Sequence, residues 1–230
     1  MLDDMRVLRD AVRGYRVAAT AAGLDWPGEI ESPTEQPPEQ VRRIFDVDHV
    51  AEQLCWLQSQ RWPHRRLLPN AGWRMPWPED ADALDYLGLS IATPFPWRQQ
   101  LPLFHFDFAL FTFVLAGEHE GEVWRYEISP DAWDSVRAAP SLATLFDQWT
   151  RGITTGAITY DGSSGWLVVE EPGLAPGLDP LAFPVAPIEE TLLRARQREC
   201  GVDMTAVEDG FEYNEKLLDA IDAAKASLAR

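Results

Sequence analysis

The chain has 230 residues, 46% of them hydrophobic, ten tryptophans and a net charge of −17. Such a length buries enough apolar surface to fold without disulfides or metals. The acidity excludes electrostatic attraction to DNA, RNA or anionic membranes and points any charge-driven association toward a basic partner.

Met5, Leu8, Val12, Tyr15 and Ala19 recur at helical spacing and predict a helix over residues 3–22. The same stretch mixes both charge signs and has no uninterrupted apolar core, so it does not read as a signal peptide. No segment approaches the roughly 20 apolar residues that cross a bilayer. The expectation is a cytoplasmic protein. The proline-rich run LDWPGEIESPTEQPPEQ then predicts a loop. A second helix is expected over Val47–Gln60, with Val50, Leu54 and Leu57 on one face, Asp46 or Asp48 as its cap and Pro63 as its stop.

Residues 61–78, RWPHRRLLPNAGWRMPWP, alternate basic and aromatic groups and read as an irregular segment pinning tryptophans onto a core. PEDADALDYLGL follows as a short helix whose Glu79, Asp80, Asp82 and Asp85 complement its N-terminal dipole. The period then changes to two. In LPLFHFDFALFTFVLAG, Phe104, Phe106 and Phe108 alternate with Leu103, His105 and Asp107, and LFTFVLAG is apolar on both faces, as in a covered central strand. GEHEG closes a hairpin, and the next strand, Glu122–Ser129, puts Trp124, Tyr126 and Ile128 on one face.

PDAWDSVRAA reads as a helical excursion. PSLATLFDQWTRGI predicts a helix with Pro140 near its start, Leu142, Leu145, Phe146 and Trp149 on its apolar face and Gly152 at its end, lying on the Trp124 and Tyr126 face of the preceding strand. The strands GAITYD and GWLVVE follow, joined by GSS. Residues 172–187 are rich in Pro and Gly and predict an extended segment. Two more helices are expected within 188–230, over Ile188–Cys200 and Thr205–Leu228, packing on the same domain.

Catalytic spacing is not found. His105 and Asp107 lie two apart on one strand and His119 lies in the adjoining hairpin, but a hairpin tip runs away from the strand middle, so neither a metal nor a proton-transfer role is assigned to them. His119 reads as a solvated turn residue, and His49 and His64 have no companions. Cys55 and Cys200 have no adjacent base, and GSSG at 162–165 joins two strands rather than forming a nucleophile elbow or a phosphate loop. The expectation is a protein that is not an enzyme and has no cofactor and no metal.

The succession GEVWRYE and PSLATLFDQW resembles the SUKH superfamily. The matching positions are Gly121, Glu122, Val123, Trp124 and Tyr126, then Ser141, Leu142, Leu145, Phe146 and Trp149. The resemblance is best over residues 85–170, and elsewhere the pattern is not followed; LLPNAG at 67–72 is a faint echo of an upstream motif. The resemblance implies a single α+β domain over residues 1–171, with helices around a curved, mostly antiparallel sheet of about five or six strands. Bacterial members are commonly immunity proteins that bind a toxin domain and block its active site, and the family has no shared catalytic residue.

Two binding modes follow from these readings. In the first, a basic toxin domain docks on acids displayed by rigid elements: Glu118, Glu120 and Glu122 at the hairpin tip, and Glu79, Asp80, Asp82 and Asp85 at the helix start. In the second, Trp62, Trp73 and Trp77 line a groove for a small ligand or peptide. Neither mode involves nucleic acid or a membrane.

Overall fold

The computed structural model describes residues 2–26, 41–42, 45, 47–62, 73–74, 77, 99–106, 109–127, 136–169, 178–179 and 186–187. Helix α1 spans Leu2–Ala22. Met5, Leu8, Val12, Tyr15 and Ala19 are all buried, so the expected stripe is the face that packs. Gly23 ends the helix at φ 122°, its N–H shared between the carbonyls of Ala19 and Thr20 at 3.2 and 3.1 Å. A Cβ there would lie 2.6 Å from the Tyr160 ring, so both the dihedral and the close ring select glycine.

Helix α2 spans Glu52–Ser59, shorter than expected at its start. Its N-cap is Ala51, with no side-chain cap; Asp48 lies outside the helix and Asp46 outside the described residues. The reason is local. Residues 41, 42 and 45 are already helical, and the Val47 N–H donates to the Arg42 carbonyl at 3.0 Å, closing that earlier turn. Val47 is thereby buried as part of the earlier turn instead of opening α2.

The main sheet is an antiparallel meander in sequence order: β1 (Trp73–Arg74), β2 (Gln100–Phe106), β3 (Ala109–Val114), β4 (Val123–Glu127) and β5 (Val136–Ala139). Pro102 pairs with Thr112 and Phe104 with Phe111, so Leu103 is an extra residue on β2. A proline that cannot donate to the ladder is at home beside such a bulge. Leu101, Leu103 and Phe104 are all buried as a result.

Strand β5 corrects the helical reading of PDAWDSVRAA over its last four residues. Their local composition suits a helix, but Val136 pairs with Arg125 and Ala139 with Val123, and sheet pairing overrides propensity. Residues 128–135 lie outside the described ones.

Helix α3 spans Leu142–Thr155. The Ser141 hydroxyl accepts from the Thr144 N–H at 3.1 Å, and Leu142, Leu145, Phe146 and Trp149 are buried as expected. Gly152 is not the end: it is buried within the helix, which stops at Gly156.

Trp149 sits where three elements meet. Its ring lies 5.8 Å from Tyr15 of α1, 6.0 and 5.8 Å from Phe104 and Phe111 of the sheet, and 5.4 Å from Phe146. This packing corrects the expected partner surface of α3. Phe111 and Phe113 pair with Arg125 and Val123, while Thr112 pairs with Trp124. By strand alternation Trp124 therefore stands on the opposite face from the one α3 covers. It is buried, but not against Trp149. The Tyr126 side chain is outside the described ones.

A separate antiparallel hairpin, β6 (Ile158–Asp161) and β7 (Trp166–Val169), follows α3. Asp161 caps its turn, accepting from the Ser163 N–H at 2.8 Å and the Ser163 hydroxyl at 2.7 Å. Within the expected extended segment, β8 (Leu178–Asp179) pairs with β9 (Ala186–Pro187). Residues 188–230, with their expected helices, lie outside the described residues. Among the described residues no helix is long and apolar enough to cross a membrane.

Two outcomes are expected. Trp149→Ala should lower unfolding stability by about 3–5 kcal/mol, because a large ring shared by three elements leaves a cavity that cannot collapse; urea unfolding checks this. The bonds from Ser163 and Ser164 hold the Asp161 carboxyl down at about 2, against an ordinary 3.8. A folded value below the unfolded one stabilises the hairpin above the unfolded value, and the contribution is lost as pH falls through about 2. A carboxyl-carbon NMR titration of Asp161 should show its midpoint near that value, and a midpoint near 3.8 would mean that the turn is not formed.

Candidate functional site

The β3–β4 connection projects the densest described acids. Strand β3 runs out at Val114, whose N–H donates to the Glu122 carbonyl at 3.0 Å while its carbonyl accepts the Gly121 N–H at 2.9 Å. Between them lie two overlapping turns, from Glu120 N–H to Gly117 O at 3.2 Å and from Glu122 N–H to His119 O at 3.1 Å. Gly117 and Gly121 take φ of 92° and 88°, dihedrals that side chains resist, which explains the glycines framing EHE. The backbone of the tip is thus tied by its own hydrogen bonds.

Its three glutamates have different environments. Glu118 and Glu120 are exposed. The Glu120 carboxylate lies 3.3 Å from His49 Nε2, joining the tip to the segment ahead of α2. That pair corrects the reading of His49 as companionless, although an exposed pair contributes little stability.

Glu122 is not displayed. Its side chain is only 14% exposed. One oxygen accepts from the Trp124 indole N–H at 2.8 Å and lies 3.2 Å from His119 Nδ1, and the other accepts from Arg137 at 3.2 Å. Residues two apart on a strand share a face, so Glu122 lies over the buried Trp124, and Arg137 reaches it from β5, where it pairs with Trp124. The expected docking acid is therefore an internal acceptor. The spacing Glu-Val-Trp carried that signal, since a buried indole N–H needs an acceptor and the acid two residues away is positioned to supply it.

His119 likewise departs from the solvated-turn reading. Its side chain is 29% exposed and its ring stands edge-on to Trp124 at 6.5 Å and 87°. His105 is opposite Leu110 in the register, toward the other end of β3, and Asp107 lies outside the described residues. Among the described residues no three His, Cys, Asp or Glu side chains are grouped to hold a metal. Burial, with Glu52 adding to it, pushes the Cys55 thiol up against a weaker opposing backbone hydrogen bond, which keeps it in its unreactive protonated form.

Glu79, Asp80, Asp82 and Asp85 lie outside the described residues. Of the expected groove residues, Trp62 and Trp77 have described side chains. Trp62 is half-buried on the core: its ring stacks on Phe146 at 5.8 Å and 16°, meets Trp26 at 5.6 Å, and its N–H donates to the Leu57 carbonyl at 3.2 Å. Trp77 is buried, and its indole N–H has no acceptor among the described residues. Trp73 pairs with His105 on the two-residue strand β1. Two of the three rings thus pack into the interior instead of lining an open surface.

No family model, curated protein or solved structure matches the chain.

Glu122→Ala should cost about 1–3 kcal/mol, since it leaves the Trp124 N–H buried without its acceptor. Glu118→Ala should stay within about 0.5 kcal/mol, as expected for an exposed surface change. Thermal unfolding of the two variants distinguishes an internal acceptor from a displayed acid.

Proposed function

We propose that this protein is a non-enzymatic binding domain that engages a basic protein partner through the hairpin tip, with Glu118 and Glu120 as the contacting acids. The observation that carries the reading is the contrast within the tip: two glutamates project from a backbone closed by its own hydrogen bonds, while Glu122 beneath them is held by Trp124, His119 and Arg137. Acids on an ordered turn lose less conformational entropy on association than acids on a flexible chain. The net charge of −17 would draw a basic partner in from a distance and raise the association rate most at low salt.

The sequence resemblance extends this reading to residues 1–171 as one SUKH-like domain and to an immunity-type role in the bacterial cytoplasm. In that role the partner is a basic toxin domain, and binding neutralises it by covering its active site. The tryptophan-groove alternative has less support, because Trp62 and Trp77 pack inward.

The test pairs Glu118→Lys/Glu120→Lys with a basic protein recovered by pull-down on the wild-type chain, measured by stopped-flow association across a salt series. The double variant should associate more slowly and with a flatter salt dependence, while its unfolding stability changes by no more than about 0.5 kcal/mol per substitution. Unchanged association would remove the tip from the binding surface. A large loss from Trp73→Ala in the same assay would favour the groove.

A further inference from the structure

We draw no further inference here: the strongest candidate, the arginine face of α1 formed by Arg6, Arg9, Arg13 and Arg16, carries nothing because all four side chains are already engaged within the chain, Arg13 with Asp10, Arg9 over the Trp56 ring, and Arg6 and Arg16 in contacts of their own.

Discussion

The burial of one indole fixes how α1, α3 and the main sheet meet. Trp149 touches α1 through Tyr15, the sheet through Phe104 and Phe111, and its own helix through Phe146. Edge-to-face ring pairs contribute roughly 0.5–1.5 kcal/mol each beyond their area, and they are sensitive to angle as well as distance. A side chain in such contact with three elements couples their orientations, so none can rotate without breaking contacts made by the others. The chain of rings continues from Tyr15 to Trp26 and from Trp26 to Trp62, which stacks back on Phe146. Three of the ten tryptophans, Trp26, Trp62 and Trp149, belong to this cluster.

The two faces of the sheet are built on different chemistry. Phe104, Phe111, Phe113 and Val123 give the helix-covered face an apolar surface. The other face buries Gln100 and Thr112, joined at 2.6 Å, and Trp124 over the Glu122 carboxylate. That asymmetry specifies register. A slip of one residue in β3 would turn Thr112 toward α3 and Phe111 away from Trp149, losing hydrogen bonds and ring contacts together. The hairpin tip inherits this precision, because Glu122 is the first residue beyond the β4 register and its carboxylate is bound to residues of β4, β5 and the tip itself.

Elements with a strong period were legible from the residues alone. The stripes of α1 and α3 and the glycine-framed hairpin follow from local spacing, and each is present, whereas the alternation expected of Leu103 and Phe104 is broken by the bulge, which buries both. What spacing could not convey depends on partners distant along the chain. Alternation states that Trp124 and Tyr126 belong to one face, but only the pairing of Thr112 with Trp124 determines that α3 covers the other. The segment ending in Val136–Ala139 has a helix-compatible composition and becomes a strand because β4 offers it an edge. His49 and Glu120 are far apart in sequence, and no local pattern brings them together. At the candidate site the glycines and the charge were readable, whereas the separation of displayed from internal glutamates required knowing which acid lay over an indole.

The bulge at Leu103 bears on how this strand can change length. Elsewhere in β2, removing one residue would exchange the two faces for everything on one side of the gap. Leu103 is the exception, since the pairings of Pro102 and Phe104 already skip it. Its removal would leave Leu101 and Phe104 on the face they now occupy and convert the irregular ladder into a regular one. The strand would then forfeit only the apolar contacts of a single leucine and the local bend. A length variant with one residue fewer here is thus compatible with the same topology, making Leu103 the position in this strand where an insertion or deletion does the least violence to the fold.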